Sequence, residues 1–183
     1  MNFFIADTHF GHSNIISSCE RPFKDIREMD KVLTDNWNSR ITDRDDVWIA
    51  GDMFYRCKSS VEQRLESLKG IKHLVLGNHD HDWLKNGRER YLASINQMEI
   101  VKLDGRLVHI CHYPMMEWHN SFHGSYLVFG HIHNSVSSPF LEAIAGNEHM
   151  LNAGVDLNYF QPVTFEELVK NNAEFYDRKR MEK

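Results

Sequence analysis

Short apolar runs recur along most of the chain, each bounded by polar or turn-forming positions. Phe3-Phe4-Ile5-Ala6, Val47-Trp48-Ile49-Ala50, His73-Leu74-Val75-Leu76, Leu107 to Cys111 and Tyr126-Leu127-Val128-Phe129 are four or five residues long and show little polar alternation. That pattern predicts strands buried on both faces. A sixth run covers Met150 to Val155. Asp104-Gly105, between Glu99–Leu103 and Arg106–Val108, supplies the positive-φ residues of a two-residue turn and predicts a hairpin.

Between the first three runs the period becomes helical. Asp25 with Glu28 is a capping-box pattern, followed by a stripe of Ile26, Met29, Leu33 and Trp37. Ser59 with Glu62 repeats the pattern ahead of Val61, Leu65 and Leu68, and Gly70 ends that helix. Thr164 with Glu167 starts a third helix after Pro162. The first half thus reads β-α-β-α-β, with parallel strands under covering helices, and the second half is richer in hairpins. No repeat or linker interrupts the chain, so one domain is expected over residues 1–176. A charged tail, 177–183, follows as a solvated helix end.

Composition narrows the function classes. Lys and Arg number 21 against 26 Asp and Glu, a net charge of −5, which gives no strong nucleic-acid-binding signal. No run approaches the ~20 apolar residues of a membrane helix, and MNFFIADTHFGH has no basic leader character. Cys19, Cys57 and Cys111 are too few and scattered for a disulfide framework, so a reducing, cytoplasmic address is expected. The unusual number is twelve histidines.

Several of them are arranged. The five runs are followed in turn by Asp7-Thr8-His9, Gly51-Asp52, Gly77-Asn78-His79-Asp80, His112-Tyr113-Pro114 and Gly130-His131-Ile132-His133. Loops leaving the carboxyl ends of parallel strands line one crevice, so distant segments should deliver carboxylate, amide and imidazole groups to one rim. In an extended backbone Asp7 and His9, like His131 and His133, would point the same way. The glycines before these segments would let the chain turn sharply off its strand. Oxygen and imidazole donors without thiolate suit Mn, Fe, Zn, Co or Ni better than calcium. Seven donors exceed one tetrahedral ion, and two ions sharing the lone Asp52 fit better.

These ordered blocks resemble those of the calcineurin-like metallophosphoesterases. Arg21-Pro22-Phe23, His112-Tyr113-Pro114 and Gly154-Val155-Asp156 look similar to a small bacterial and phage branch. The resemblance implies an α/β fold, a four-layer αββα sandwich of two mixed sheets flanked by helices. It implies two divalent ions, with Mn or Fe favoured. Asp7, His9, Asp52 and His133 would hold one, and Asp52, Asn78, His112 and His131 the other. It casts His79 as general acid beside the leaving group and Asp80 as its orienting neighbour. The implied reaction is hydrolysis of a small phosphate ester, a diester foremost, by in-line attack of a metal-bridging hydroxide.

The protein-phosphatase branch carries an acid and then a phosphate-gripping arginine after its Gly-Asp. Here those places hold Tyr55 and Arg56, which argues against a phosphoprotein phosphatase. Arg56 and Arg21 remain candidate phosphate clamps and His12 a candidate cleft wall, each against a plain surface or loop role. Three other readings stand beside the diesterase. They are a phosphomonoesterase on the same site, a non-catalytic interaction scaffold that would be expected to lack several ligands, and a binuclear amidohydrolase. The last leaves Asn78 unexplained.

Overall fold

Two sheets form from the apolar runs. The computed structural model describes residues 1–57, 61–135 and 141–181. In the first sheet, β1 (Asn2–Ile5), β2 (Asp46–Ile49), β3 (Ile71–Val75) and β4 (Ser94–Asn96) lie in that order, all parallel. In the second, β5 (Met98–Leu103), β6 (Arg106–Cys111), β7 (Tyr126–Phe129) and β8 (Met150–Asn152) lie in that order. There β5 is antiparallel to β6, and the other pairs are parallel.

Successive strand residues face different layers, which is why the runs are apolar throughout. Phe3, Ile5, Val47, Ile49 and Leu74 pack on Met29, Leu33 and Trp37 of α2 (Ile26–Arg40) and on Val61 and Leu65 of α3 (Val61–Ser67). Phe4, Ala6, Trp48, Ala50 and Val75 face the other way, against Val108, Ile110, Val128 and Leu151 of the second sheet. The outer face of that sheet sets Leu127, Phe129 and Met150 against α5 (Leu141–Ala145) and against Phe175 and Tyr176 of α6 (Phe165–Met181). The result is helix, sheet, sheet, helix, the expected four layers, with one correction: the first sheet is all parallel and only the second is mixed.

The caps behave as read. Glu28 N donates to Asp25 Oδ1 at 2.9 Å, and the return bond runs from Lys24 N to Glu28 Oε2 at 2.8 Å. At α6, Glu167 N donates to Thr164 Oγ1 (3.3 Å) and Thr164 N to Glu167 Oε2 (2.9 Å). Ser59 lies outside the described residues. Asp104 (φ 49°) and Gly105 (φ 82°) make the hairpin turn, with Leu103 opposite Arg106.

Some elements were not visible in the pattern. They are β4, α1 (Asn14–Ser18), α4 (Asp80–Trp83) and α5, all three to five residues long. The sixth strand stops at Asn152 instead of Val155, because its continuation crosses to β1. There Ala6 N donates to Ala153 O (2.8 Å) and Val155 N to Ala6 O (3.1 Å), and farther on Val163 makes an antiparallel bridge with Phe4. This crossing brings Asp156 beside the Asp7 segment. The tail expected from residue 177 is the exposed last turn of α6 as far as Met181. α5 buries Leu141 and Ile144 against the second sheet. Among the described residues no helix is long and apolar enough to cross a membrane.

Candidate metal centre

Each of the five motif segments leaves the carboxyl end of a strand, and the backbone there is not extended. Asp7 (φ 56°), His9 (50°), Asp52 (54°), His131 (70°) and His133 (50°) all sit in the left-handed region. The expectation that Asp7 and His9, or His131 and His133, share one side of an extended strand is therefore corrected. Tight left-handed turns aim them instead. Such residues cost of order 1–3 kcal/mol each and persist only where the surroundings impose them. The impositions are visible. Asp7 N donates to Gly51 O (3.0 Å), His9 N to Asp52 O (3.1 Å) and Thr8 Oγ1 to Met53 O (2.8 Å).

Arg21 supplies a further imposition and is corrected as a phosphate clamp. It is 4% exposed. Its guanidinium donates to Asp7 O (2.8 Å), Thr8 O (3.1 Å) and both Asp156 oxygens (2.8 and 3.1 Å). It braces the first motif, with Nε, Nη1 and Nη2 each bonded within the chain. Asp80 is likewise placed differently from its expected role as orienting neighbour of His79. Oδ2 accepts from Asp52 N (2.8 Å) and Gly77 N (2.7 Å), and Oδ1 from Met53 N (3.0 Å) and Trp83 Nε1 (2.7 Å). Burial pushes its pKa up, and these donors oppose the shift. Asp80 ties the second motif to the third, and neither oxygen is bonded to the His79 ring.

That tie explains Gly77. A Cβ there would stand 2.2 Å from Asp52 Oδ1 and 2.6 Å from Asp52 N, so the glycine is required by space, not by a positive φ. Gly77→Ala is expected to displace Asp52 and weaken metal binding at least about tenfold. Calorimetric titration with Mn or Zn measures this, and unchanged affinity would contradict the close fit.

Within this frame the donors converge. Asp52 Oδ1 accepts from His79 N at 2.9 Å. Asp52 Oδ2 lies 3.6 Å from His9 Nε2, 3.5 Å from His112 Nε2 and 3.9 Å from His79 Nε2, too far for hydrogen bonds. Asp7 Oδ2 accepts from His131 N (2.8 Å), while Asp7 Oδ1 and both His9 ring nitrogens are buried without a partner among the described residues. Ligand atoms of Asp7, His9 and His133 lie within 4.8 Å of one another, as do those of Asp7, Asp52 and His112. Asp7 belongs to both groups and so stands between them, while Asp52 belongs to the second. A buried polar atom left unpaired costs about 1–3 kcal/mol. A cation bonded at about 2 Å satisfies several at once. The residues present therefore fit a metal.

The outer partners orient the imidazoles. His112 Nδ1 lies 2.9 Å from Ala50 O, an acceptor only. In the neutral ring Nδ1 then holds the proton and Nε2 turns its lone pair inward, 3.1 Å from Asn78 Oδ1. Two facing acceptors are the arrangement that a shared cation satisfies. His133 Nδ1 lies 3.0 Å from Asp156 Oδ2, which directs Nε2 inward in the same way. Burial would lower the His133 pKa, but Asp156, Cys19 and the Asp7 charge together push it up to about 10. Burial pushes Asp7 up to about 6, against the pull of His133 and His112. It pushes His9 well down, helped by His133 and Arg21, and lowers His131.

His131 touches the cluster through its ring, 5.1 Å from that of His112. The His12 ring lies 5.3 Å from His9 and 4.0 Å from Tyr55, so it walls the cluster, and burial lowers its pKa to about 4. Arg56 is exposed, its guanidinium 5.1 Å from the Tyr55 ring. Sequence reasoning missed four contributors. Asp156 holds His133, and Tyr55 packs edge-on to His79 at 4.4 Å. Tyr113 lies 4.7 Å from His131, and Asn152 Nδ2 donates to His133 O at 2.9 Å. Asp156 and Tyr113 left a trace, in Gly154-Val155-Asp156 and His112-Tyr113-Pro114, and Tyr55 was noted only for the acid it replaces.

Residues 1–155 match the calcineurin-like phosphoesterase superfamily domain. An uncharacterised protein of Methanocaldococcus jannaschii is 31% identical over 172 residues, covering 92% of this chain and 89% of that protein. The gene 66 protein of Mycobacterium phage L5 is 24% identical, covering 84% and 85%. The crystal structure of a protein of unknown function from Aquifex aeolicus is similar with a TM-score of 0.72 at 25% identity. That match covers 93% of this chain and 98% of that one.

Proposed function

The chain belongs to the calcineurin-like phosphoesterase superfamily, and from that premise we propose that it is a binuclear metal-dependent phosphodiesterase. Asp7, His9, Asp52 and His133 would hold one divalent ion, and Asp52, Asn78, His112 and His131 the second. The observation that carries this reading is the set of buried polar atoms on Asp7 and His9, unpartnered among the described residues, beside an Asp52 oxygen that three imidazoles surround without bonding. The imidazole and oxygen donor set suits Mn, Fe, Zn, Co or Ni, and the family resemblance puts Mn or Fe foremost. When bound, such ions supply Lewis-acid charge on the phosphoryl oxygens and activate water as the nucleophile.

The chain's own residues do the rest. Asp80 and Arg21 hold the ligand-bearing turns rigid, so the site needs little rearrangement to act. His79 is pinned by its backbone to Asp52, while its side chain is 32% exposed. It can meet a leaving oxygen from the solvent side and deliver a proton from its ring. Of the two arginines considered for phosphate contact, only Arg56 has an exposed guanidinium.

Hydrolysis of bis-p-nitrophenyl phosphate tests the reading. Chelator-treated protein should be inactive, and one or more of Mn, Fe, Zn, Co and Ni should restore turnover. Failure to hydrolyse any mono- or diester with any of these metals would overturn it.

A further inference from the structure

We propose that Tyr55 is the positioning residue for His79, aiming by ring contact an imidazole that no hydrogen bond orients. The inference rests on the phosphodiesterase reading, in which His79 is the general acid, and adds to it the group that sets the acid's direction.

A general acid works only when its proton-bearing nitrogen is aimed at the leaving oxygen. The bond from His79 N to Asp52 Oδ1 (2.9 Å) fixes the backbone and leaves the two side-chain torsions unset. Asp80, the adjacent carboxylate, is engaged by the N–H groups of Asp52, Met53, Gly77 and Trp83. Asp52 Oδ2 is 3.9 Å from His79 Nε2, beyond a hydrogen bond, and among the described residues no other side chain bonds the ring. The ring is also partly exposed, so burial alone does not confine it.

Two rings touch it. Tyr55 lies closer, at 4.4 Å between centroids and 73° between planes, and His9 lies at 5.6 Å and 63°. Both are edge-to-face contacts, which favour one ring orientation over its alternatives. His9 is a proposed metal ligand, so its own aim serves the ion. Tyr55 has no such duty and is itself held. Tyr55 N donates to Phe10 O (3.2 Å), Phe54 makes a parallel bridge with Phe10, and the His12 ring stands 4.0 Å from the Tyr55 ring. His12 N in turn donates to His9 O (3.0 Å). Tyr55 thus links the first and second motifs to the side chain of the third. The plainer role, in which Tyr55 only fills space beside the cluster, predicts different kinetics.

In the metal-loaded protein, Tyr55→Ala should lower kcat about five- to tenfold for alkyl diesters and less than about twofold for p-nitrophenyl diesters, with KM and metal content unchanged. Tyr55→Leu, which keeps apolar bulk without the ring, should show the same pattern, and Tyr55→Phe, which restores the ring, should recover the loss. In a His79→Ala background, Tyr55→Ala should cost less than about twofold more, because the side chain it aims is gone. Equal losses on both ester classes, losses that multiply with those of His79→Ala, or no recovery in Tyr55→Phe would overturn the proposal. Ring mobility gives a readout independent of turnover. With isotope-labelled histidine rings and zinc added, NMR relaxation should find the His79 ring as ordered as the His112 ring in the unaltered protein and mobile in Tyr55→Ala or Tyr55→Leu. A mobile His79 ring in the unaltered protein, or an ordered one in both variants, would overturn the proposal. If no ester is hydrolysed with any metal, the phosphodiesterase reading fails by itself, and the relaxation measurement still decides whether Tyr55 holds the ring.

Discussion

Asp52→Asn should produce a folded protein that has lost its tightly held metal and roughly a thousandfold of its diester turnover. The amide has the shape of the carboxylate, and its oxygen can still accept the His79 N–H that Oδ1 accepts at 2.9 Å. The other position changes character. Oδ2 faces His9, His112 and His79 at 3.5 to 3.9 Å. An NH₂ there carries donors and no charge, so it cannot bridge cations. The substitution should not unfold the chelated protein. Asp52 and Asp7 repel one another, as the upward push of Asp52 on the Asp7 pKa indicates. Removing one charge relieves that repulsion, so the unfolding midpoint without metal should stay level or rise. Elemental analysis, diester turnover and a thermal melt check the three parts. A variant that retains both metal and turnover would remove Asp52 from the centre of the site.

His79→Ala should separate catalysis from metal binding. The backbone N–H that anchors the third motif to Asp52 is unchanged by the substitution, so metal content should match that of the unaltered protein. Turnover should fall about 10²- to 10⁴-fold, the usual contribution of a positioned general acid. The loss should be greatest for alkyl diesters, whose leaving oxygen needs a proton, and least for p-nitrophenyl esters. A series of diesters graded by leaving-group pKa measures this. An equal loss across the series would assign His79 to phosphate contact, and a loss of metal would make it a ligand.

The two variants bear on the part of the site most legible in the amino-acid order. Strand ends recurring as Asp-x-His, Gly-Asp, Gly-Asn-His-Asp and Gly-His-x-His marked the donors, because a buried strand must end before a polar ligand can begin. The helix stripes and capping boxes were legible for a similar reason, since each is a relation between residues three or four apart. The bracing roles of Arg21, Asp80 and Asp156 carried no such mark, although Asp80 stands inside Gly-Asn-His-Asp and the other two within stretches that resemble the family. A charged residue reads as surface unless the fold buries it among partners. Arg21 meets Asp156 across 135 positions, and Asp80 meets Asp52 across 28. The left-handed turns at the ligands were equally hidden, because glycine is the usual marker of positive φ and these positions are aspartate and histidine.

The sequence by itself determined all strands but β4, the main helices and the set of residues able to take part in metal chemistry, because those depend on local pattern and side-chain type. Tertiary structure decided how they are aimed. Packing the second sheet against the first and carrying the chain from β8 back across β1 set Asp156 against His133, locked Arg21 behind Asp7 and turned Asp80 away from the His79 ring. Burial then gave each group its charge preference, since desolvation and the nearest charge depend on which distant segments are neighbours, and the order of residues does not encode that directly.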